Sequence, residues 1–145
     1  MHRLANELAQ RGHSVDVVHS IEAFRVMRGG QPAGNAPHHP GCQVHGLRSV
    51  AGPLGPLAMQ QTGSAAFQAE KLRKLLGADY DVIHFHNISL MGGPGVLTYG
   101  DAVKLYTMHE YWLVCPTHVM YKFNREPCLT PSCLVCTLLH KRPPQ

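Results

Sequence analysis

Two stretches decide how this chain folds: Asp81-Val82-Ile83-His84-Phe85-His86-Asn87 and Val103-Lys104-Leu105-Tyr106-Thr107-Met108-His109. Each is a short run of β-branched, aromatic and apolar residues, the length of a strand and too brief for a helix. Between them lies Gly92-Gly93-Pro94-Gly95, a cluster of turn formers. Strands joined by so long a connection pair in parallel, and parallel sheets have their faces covered by helices.

The flanking sequence supplies those helices. From Arg3 to Arg11 the apolar residues Leu4, Ala5, Leu8 and Ala9 line one helical face, and Gly12 stands where a helix ends. Ser14 to His19 then reads as a largely buried strand. Gln43 to Val50 holds a second short one around Val44 and Leu47. The spacing of Ala65, Ala69, Leu72 and Leu76 predicts a helix over Gly63 to Leu76, closed by Gly77. The segment from Gly29 to Gly41 is dense in Gly and Pro, has no period, and reads as a surface loop.

Composition narrows the function. At 145 residues the chain is one compact domain or a piece of something larger. Lys and Arg number 13 against 9 Asp and Glu, a net charge of 13 − 9 = +4 spread along the chain. That excludes a polybasic nucleic-acid arm, although it is compatible with contact at a membrane surface. No run approaches the roughly 18 apolar residues of a membrane span. Met1-His2-Arg3 leads into an amphipathic stretch instead of a secretion signal. Neither a P-loop, nor a G-x-G-x-x-G turn, nor a Gly-x-Ser-x-Gly elbow is found.

Two groups of residues can do chemistry. Cys115, Cys128, Cys133 and Cys136, four of the five cysteines, carry the spacing C-x12-C-x4-C-x2-C. Tetrahedral zinc takes four thiolates, and a C-x2-C end binds two of them from one turn. Two disulfides, an iron–sulfur cluster, a redox pair at Cys133 and Cys136 and plain buried thiols are the competing readings. Without a secretion signal, disulfides are disfavoured and zinc is preferred. Cys42 reads as an ordinary apolar residue.

The second group is histidine at strand ends, where open parallel sheets bind ligands. Alternation sets His84 and His86 on one face and Phe85 on the other. His84 is expected as a hydrogen-bonded core residue, whereas His86 with Asn87, and His109 with Glu110, are site candidates. Adjacent strand residues point opposite ways, so His109 and Glu110 are not expected to pair with each other. Tyr111 and Trp112 are expected to pack under the cysteine loop.

The order of three segments carries a resemblance. Leu4-Ala-Asn-Glu-Leu-Ala-Gln-Arg-Gly-His-Ser-Val-Asp-Val-Val18, Asp81-Val-Ile-His-Phe-His-Asn87 and Leu105-Tyr-Thr-Met-His-Glu-Tyr-Trp-Leu-Val-Cys-Pro116 resemble the N-terminal lobe of family 4 glycosyltransferases. Phe123-Asn-Arg-Glu-Pro-Cys128 and Cys133-x-x-Cys136 are similar to an insertion in a bacterial subgroup. The resemblance implies the two-lobed GT-B architecture, in which this lobe binds the acceptor and a C-terminal lobe binds a nucleotide-sugar. It implies an α/β fold, here an incomplete Rossmann-like parallel sheet with helices on both faces, plus a Cys-rich C-terminal loop.

By that resemblance residues 1–114 form the partial lobe, and residues 115–145 form the knuckle with a truncated linker. His109 matches the family histidine near the reacting sugar, while Asn87 and Glu110 line the acceptor side; His86, a substrate-binding candidate from its strand-end position, stands next to Asn87. Glu110 stands where the subgroup more often has Asp. Members begin with a strand ahead of the first helix and continue into a donor lobe. The chain is therefore expected to lack its first central strand and the donor-binding acidic pair, and to transfer no sugar by itself. The implied function is the acceptor-side fragment of a retaining glycosyltransferase, cytoplasmic or at the inner face of the membrane, acting on a sugar or lipid-linked acceptor. The alternative is a zinc-knuckle interaction module without catalysis.

Overall fold

A computed structural model of the protein describes residues 1–30, 38–115, 117–123 and 125–139. Most of the loop expected between Gly29 and Gly41 lies outside the described residues. The chain forms two compact units, Met1–Gly55 and Pro56–Gln145.

In the first unit, helix α1 (His2–Gln10) leads into strand β1 (Val15–Ser20), helix α2 (Ile21–Arg28) and strand β2 (Cys42–Leu47). β1 and β2 pair in parallel, with Val15 opposite Cys42 and Ser20 opposite Leu47. Ala5, Ala9 and Cys42 form a small buried cluster, with Val15 and Val17 packed against it. That placement is the apolar role expected of Cys42. The Asn6 side chain accepts a 3.0 Å hydrogen bond from the His39 N–H, which ties the start of β2 to α1.

Helix α2 is not among the elements expected from the sequence. Ser20 is the helix cap: its hydroxyl accepts from the Ala23 N–H at 3.2 Å. Glu22 in the first turn and Arg25 and Arg28 in the last match the helix dipole. Gly29 ends the helix in the left-handed conformation at φ 70°. The signals were local and present. The helix is only two turns long, so its apolar stripe is too short to stand out as a period.

The second unit holds most of helix α3 (Leu54–Thr62), which begins at the boundary between the units, then a 3-10 turn (Ala66–Gln68) and helix α4 (Ala69–Leu76). The single helix expected over Gly63 to Leu76 is therefore broken. Gly63, at φ 64°, ends α3, and regular α-helix starts only at Ala69. The predicted stripe still points inward, because Ala65, Leu72 and Leu76 are buried. Leu72 and Met59 are fully buried, and each such side chain contributes about 1.5–3 kcal/mol.

Strands β3 (Val82–His86) and β4 (Val103–Thr107) pair in parallel, with His86 opposite Thr107. Ile83 and Phe85 are buried. Val82, His84, Val103 and Leu105, on the other face, are exposed. Among the described residues the parallel strands make two separate pairs instead of one sheet: β1 bonds only to β2, and β3 only to β4. The mixed α/β fold read from the sequence stands in this narrower form. After β4 come a two-residue hairpin, β5 (Tyr121–Lys122) with β6 (Glu126–Pro127), and helix α5 (Cys133–Leu139). The segment expected as an irregular cysteine loop thus contains a hairpin and ends in a helix. Among the described residues no helix is long and apolar enough to cross a membrane.

Candidate functional site

The strand register brings the expected histidines together. Parallel pairing sets the carboxyl ends of β3 and β4 side by side, so the residues that leave each strand emerge at one edge. Nδ1 of His86 lies 2.8 Å from Nε2 of His109, and the two rings stack with centroids 5.1 Å apart. His84 lies beside them, its ring 4.1 Å from that of His86. Its Nε2 is 2.8 Å from the Thr107 hydroxyl. His84 is therefore hydrogen-bonded as expected but is an exposed residue and not a core one, because the face that it shares with Leu105 is uncovered.

His86 is half-buried, and burial, followed by the charges of His84 and His109, holds it below the ordinary imidazole value of 6.5. A desolvated imidazole among other imidazoles stays neutral, since each added proton repels the next. Nε2 of His86 is buried without a hydrogen-bond partner. Asn87 follows directly at φ 33°, exposed, where the chain turns sharply out of β3.

Glu110 leaves β4 on a different course. One carboxylate oxygen accepts from the Ser89 hydroxyl at 3.1 Å, and the other is 2.9 Å from Nδ1 of His118. The expectation that Glu110 would not pair with its neighbour His109 agrees with these contacts: each residue has its own partner. Burial and then the Glu110 carboxylate raise the Tyr106 hydroxyl above its ordinary value.

Ser89 and His118 were missed by sequence reasoning. Ser89 sits in the turn after β3, where a hydroxyl carries no distinctive pattern. His118 lies inside the Cys115–Cys128 segment at φ 69°, and nothing in the spacing of the cysteines reveals its direction. Backbone bonds fix its position: His118 N–H donates to the Cys115 carbonyl at 3.0 Å, and Tyr111 N–H donates to the His118 carbonyl at 3.2 Å. Trp112 is buried, with its ring edge-on to His118 at 6.5 Å between centroids. Trp112 thus packs against the thiol segment as expected, but Tyr111 is exposed and does not.

The four cysteines also gather. Cys115, Cys128, Cys133 and Cys136 line one cavity together with Thr117 and Lys122. All are free thiols. Among the described residues no three Cys, His, Asp or Glu side chains converge closely enough to hold an ion as they stand. Burial by itself pushes the Cys115 thiol up, but hydrogen bonds from the Thr117 side chain and from backbone N–H groups of Met120, Thr117 and Val119 outweigh it, so its net shift is downward.

This geometry is a polar edge at the carboxyl ends of two parallel strands: a histidine pair, an anchored carboxylate and, on the segment that anchors it, four thiols. It is where an α/β fold binds small polar ligands. Comparison with known proteins found no match to a curated protein and none to a solved structure. A family model described as a glycosyl transferase 4-like domain matches residues 1–125, a span that contains both strand pairs and the histidine edge and stops ahead of Cys128, Cys133 and Cys136. The chain belongs to the glycosyl transferase 4-like domain family.

Proposed function

We propose that this chain forms the acceptor-binding side of a retaining glycosyltransferase of the GT-B type. A nucleotide-sugar presented by a second lobe donates the sugar to a sugar or lipid-linked acceptor. The observation that carries the reading is the 2.8 Å contact between His86 and His109 at the carboxyl ends of neighbouring parallel strands. It supports a site because two imidazoles are held ring to ring at an edge where ligands bind, and family membership supplies the reaction class.

In this reading the acceptor hydroxyl attacks the anomeric carbon on the face that the nucleotide diphosphate leaves, and its proton departs with that group. His109 touches the sugar. Its Nε2 faces His86, so Nδ1 is the ring nitrogen directed to a hydroxyl. Neutral His86 acts as a positioning residue: it orients the His109 ring without adding a charge that would repel a cationic transition state. Asn87 and Glu110 bind acceptor hydroxyls, with Ser89 and His118 holding the Glu110 carboxylate in place. Nucleotide-sugars place the reaction in the cytoplasm, and a lipid-linked acceptor places it at the inner membrane face.

The test is His109→Ala in the two-lobed enzyme. We expect kcat to fall by roughly 10²-fold or more, the range for loss of one transition-state contact, while the Kd for the nucleotide-sugar stays within about threefold. Unchanged turnover would remove His109 from the site. A parallel loss of nucleotide-sugar binding would mean that this lobe holds the donor.

A further inference from the structure

We propose that Cys115, Cys128, Cys133 and Cys136 bind one zinc ion as a closed, structural tetrathiolate centre that fastens the C-terminal segment of the chain. The four residues come from three elements and line the same cavity. Cys115 closes the turn after β4, Cys128 directly follows the β5–β6 hairpin, and Cys133 and Cys136 stand one turn apart on the same face of α5. The hairpin is held in register near the cavity by the Cys128 N–H, which donates to the Met120 carbonyl at 2.9 Å. Such an arrangement delivers two sulfurs from a helix and one from each of two loops, the pattern of a four-coordinate site.

Three observations favour a metal over buried thiols. First, the Cys115 sulfur is buried and has a polar partner, the Thr117 hydroxyl at 3.3 Å, a residue that lines the same cavity. A hydroxyl beside the sulfur can donate to a metal-bound thiolate. Second, Lys122 lines the same cavity and places positive charge against the net negative charge of a zinc–tetrathiolate. Third, the segment has little core of its own. Leu129, Leu134, Leu138 and Leu139 are exposed, while Cys115, Cys136 and Thr137 are among its few buried residues. A segment that buries so little needs a staple, and metal binding free energy appears directly as folding free energy.

The sulfurs ring the cavity without converging. Four thiolates repel one another until a cation offsets their charge, so a tetrathiolate set closes only around its ion. Soft sulfur donors in tetrahedral number select zinc among the common divalent ions. With all four positions taken by protein, the ion has no place for a reacting water.

The experiment is metal analysis of the full chain purified without added metal, joined to thiol alkylation under native conditions. We expect about one zinc per chain, protection of Cys115, Cys128, Cys133 and Cys136 from alkylation, and release of those four on treatment with a strong chelator, with Cys42 shielded by the core throughout. Replacement by cobalt should give the absorption of a tetrahedral sulfur site. Cys133→Ser and Cys128→Ser should each retain less than roughly a tenth of the parent zinc, whereas Cys42→Ser, in the other compact unit, should retain all of it. A metal-free chain in which Cys115, Cys128, Cys133 and Cys136 are all reactive overturns the proposal. So does recovery of Cys133 and Cys136 as a disulfide, or an iron-containing chain with visible charge-transfer bands.

Discussion

Glu110 and His118, eight positions apart in sequence, are bonded at 2.9 Å through a carboxylate oxygen and Nδ1, with both side chains mostly buried at 29% and 17% exposure. The pair joins the edge of the parallel strands to the thiol segment. It is the point at which the two groups of residues singled out in the sequence meet in space. A double-mutant cycle with Glu110→Gln and His118→Ala should return a coupling of about 0.5–3 kcal/mol in denaturant unfolding. Additive effects would mean that the contact adds nothing to stability.

Protonation of His86 should destabilise the fold. Burial and the neighbouring His84 and His109 lower its pKa from 6.5 in the folded chain, so the unfolded chain takes up the proton first as pH drops. The contribution of His86 is fully present above about pH 6.5, is lost progressively below it, and levels off beneath the folded value. An NMR titration of the imidazole should place the His86 pKa under 6.5, and His84→Ala should move it back upward. A value at or above 6.5 in the parent would contradict the desolvated environment described for this ring.

Gly93 should tolerate no side chain. It sits at φ 61°, ψ −168°, and a Cβ there would lie 2.5 Å from the Gly63 carbonyl oxygen. Backbone, unlike the tip of a flexible side chain, cannot move aside. Gly93→Ala combines this clash with a conformation that L residues avoid, and should cost about 2–4 kcal/mol. Gly30→Ala, where a Cβ meets nothing within 4 Å and φ is ordinary, is the control. A Gly93→Ala chain as stable as the parent would show that the loop after β3 is not pinned against Gly63.

The thiol segment and the histidine edge share a backbone, so removal of the proposed zinc should be felt at Glu110. The His118 N–H donates to the Cys115 carbonyl, so loosening the thiols loosens the ligand of Glu110. Chelation should therefore lower stability more in the parent than in His118→Ala. Equal losses would separate the two regions.

What was legible in the sequence was the part governed by periodicity and local chemistry. The runs at Val15, Val82 and Val103 are strands because β-branched and aromatic residues suit a pleated, half-buried surface. The inward stripe of Leu72 and Leu76 held even though its helix begins later than expected. The thiol cluster and the histidines at strand ends were visible as residue types at particular positions. Helix α2 was also written locally, in Ser20, Glu22 and Gly29, but two turns offer too little stripe to stand out.

Tertiary structure alone decided which of these groups touch. The β3–β4 register, not the spacing of residues 86 and 109, sets His86 against His109. A one-residue slip would have turned their faces apart. His118 reaches Glu110 because the chain reverses at left-handed residues between Cys115 and Cys128, a path no pattern of types encodes. The exposure of His84 likewise depends on what covers its face, which is a property of packing. Residue types set what chemistry is available, and long-range pairing, paid in loop closure entropy, sets which atoms meet.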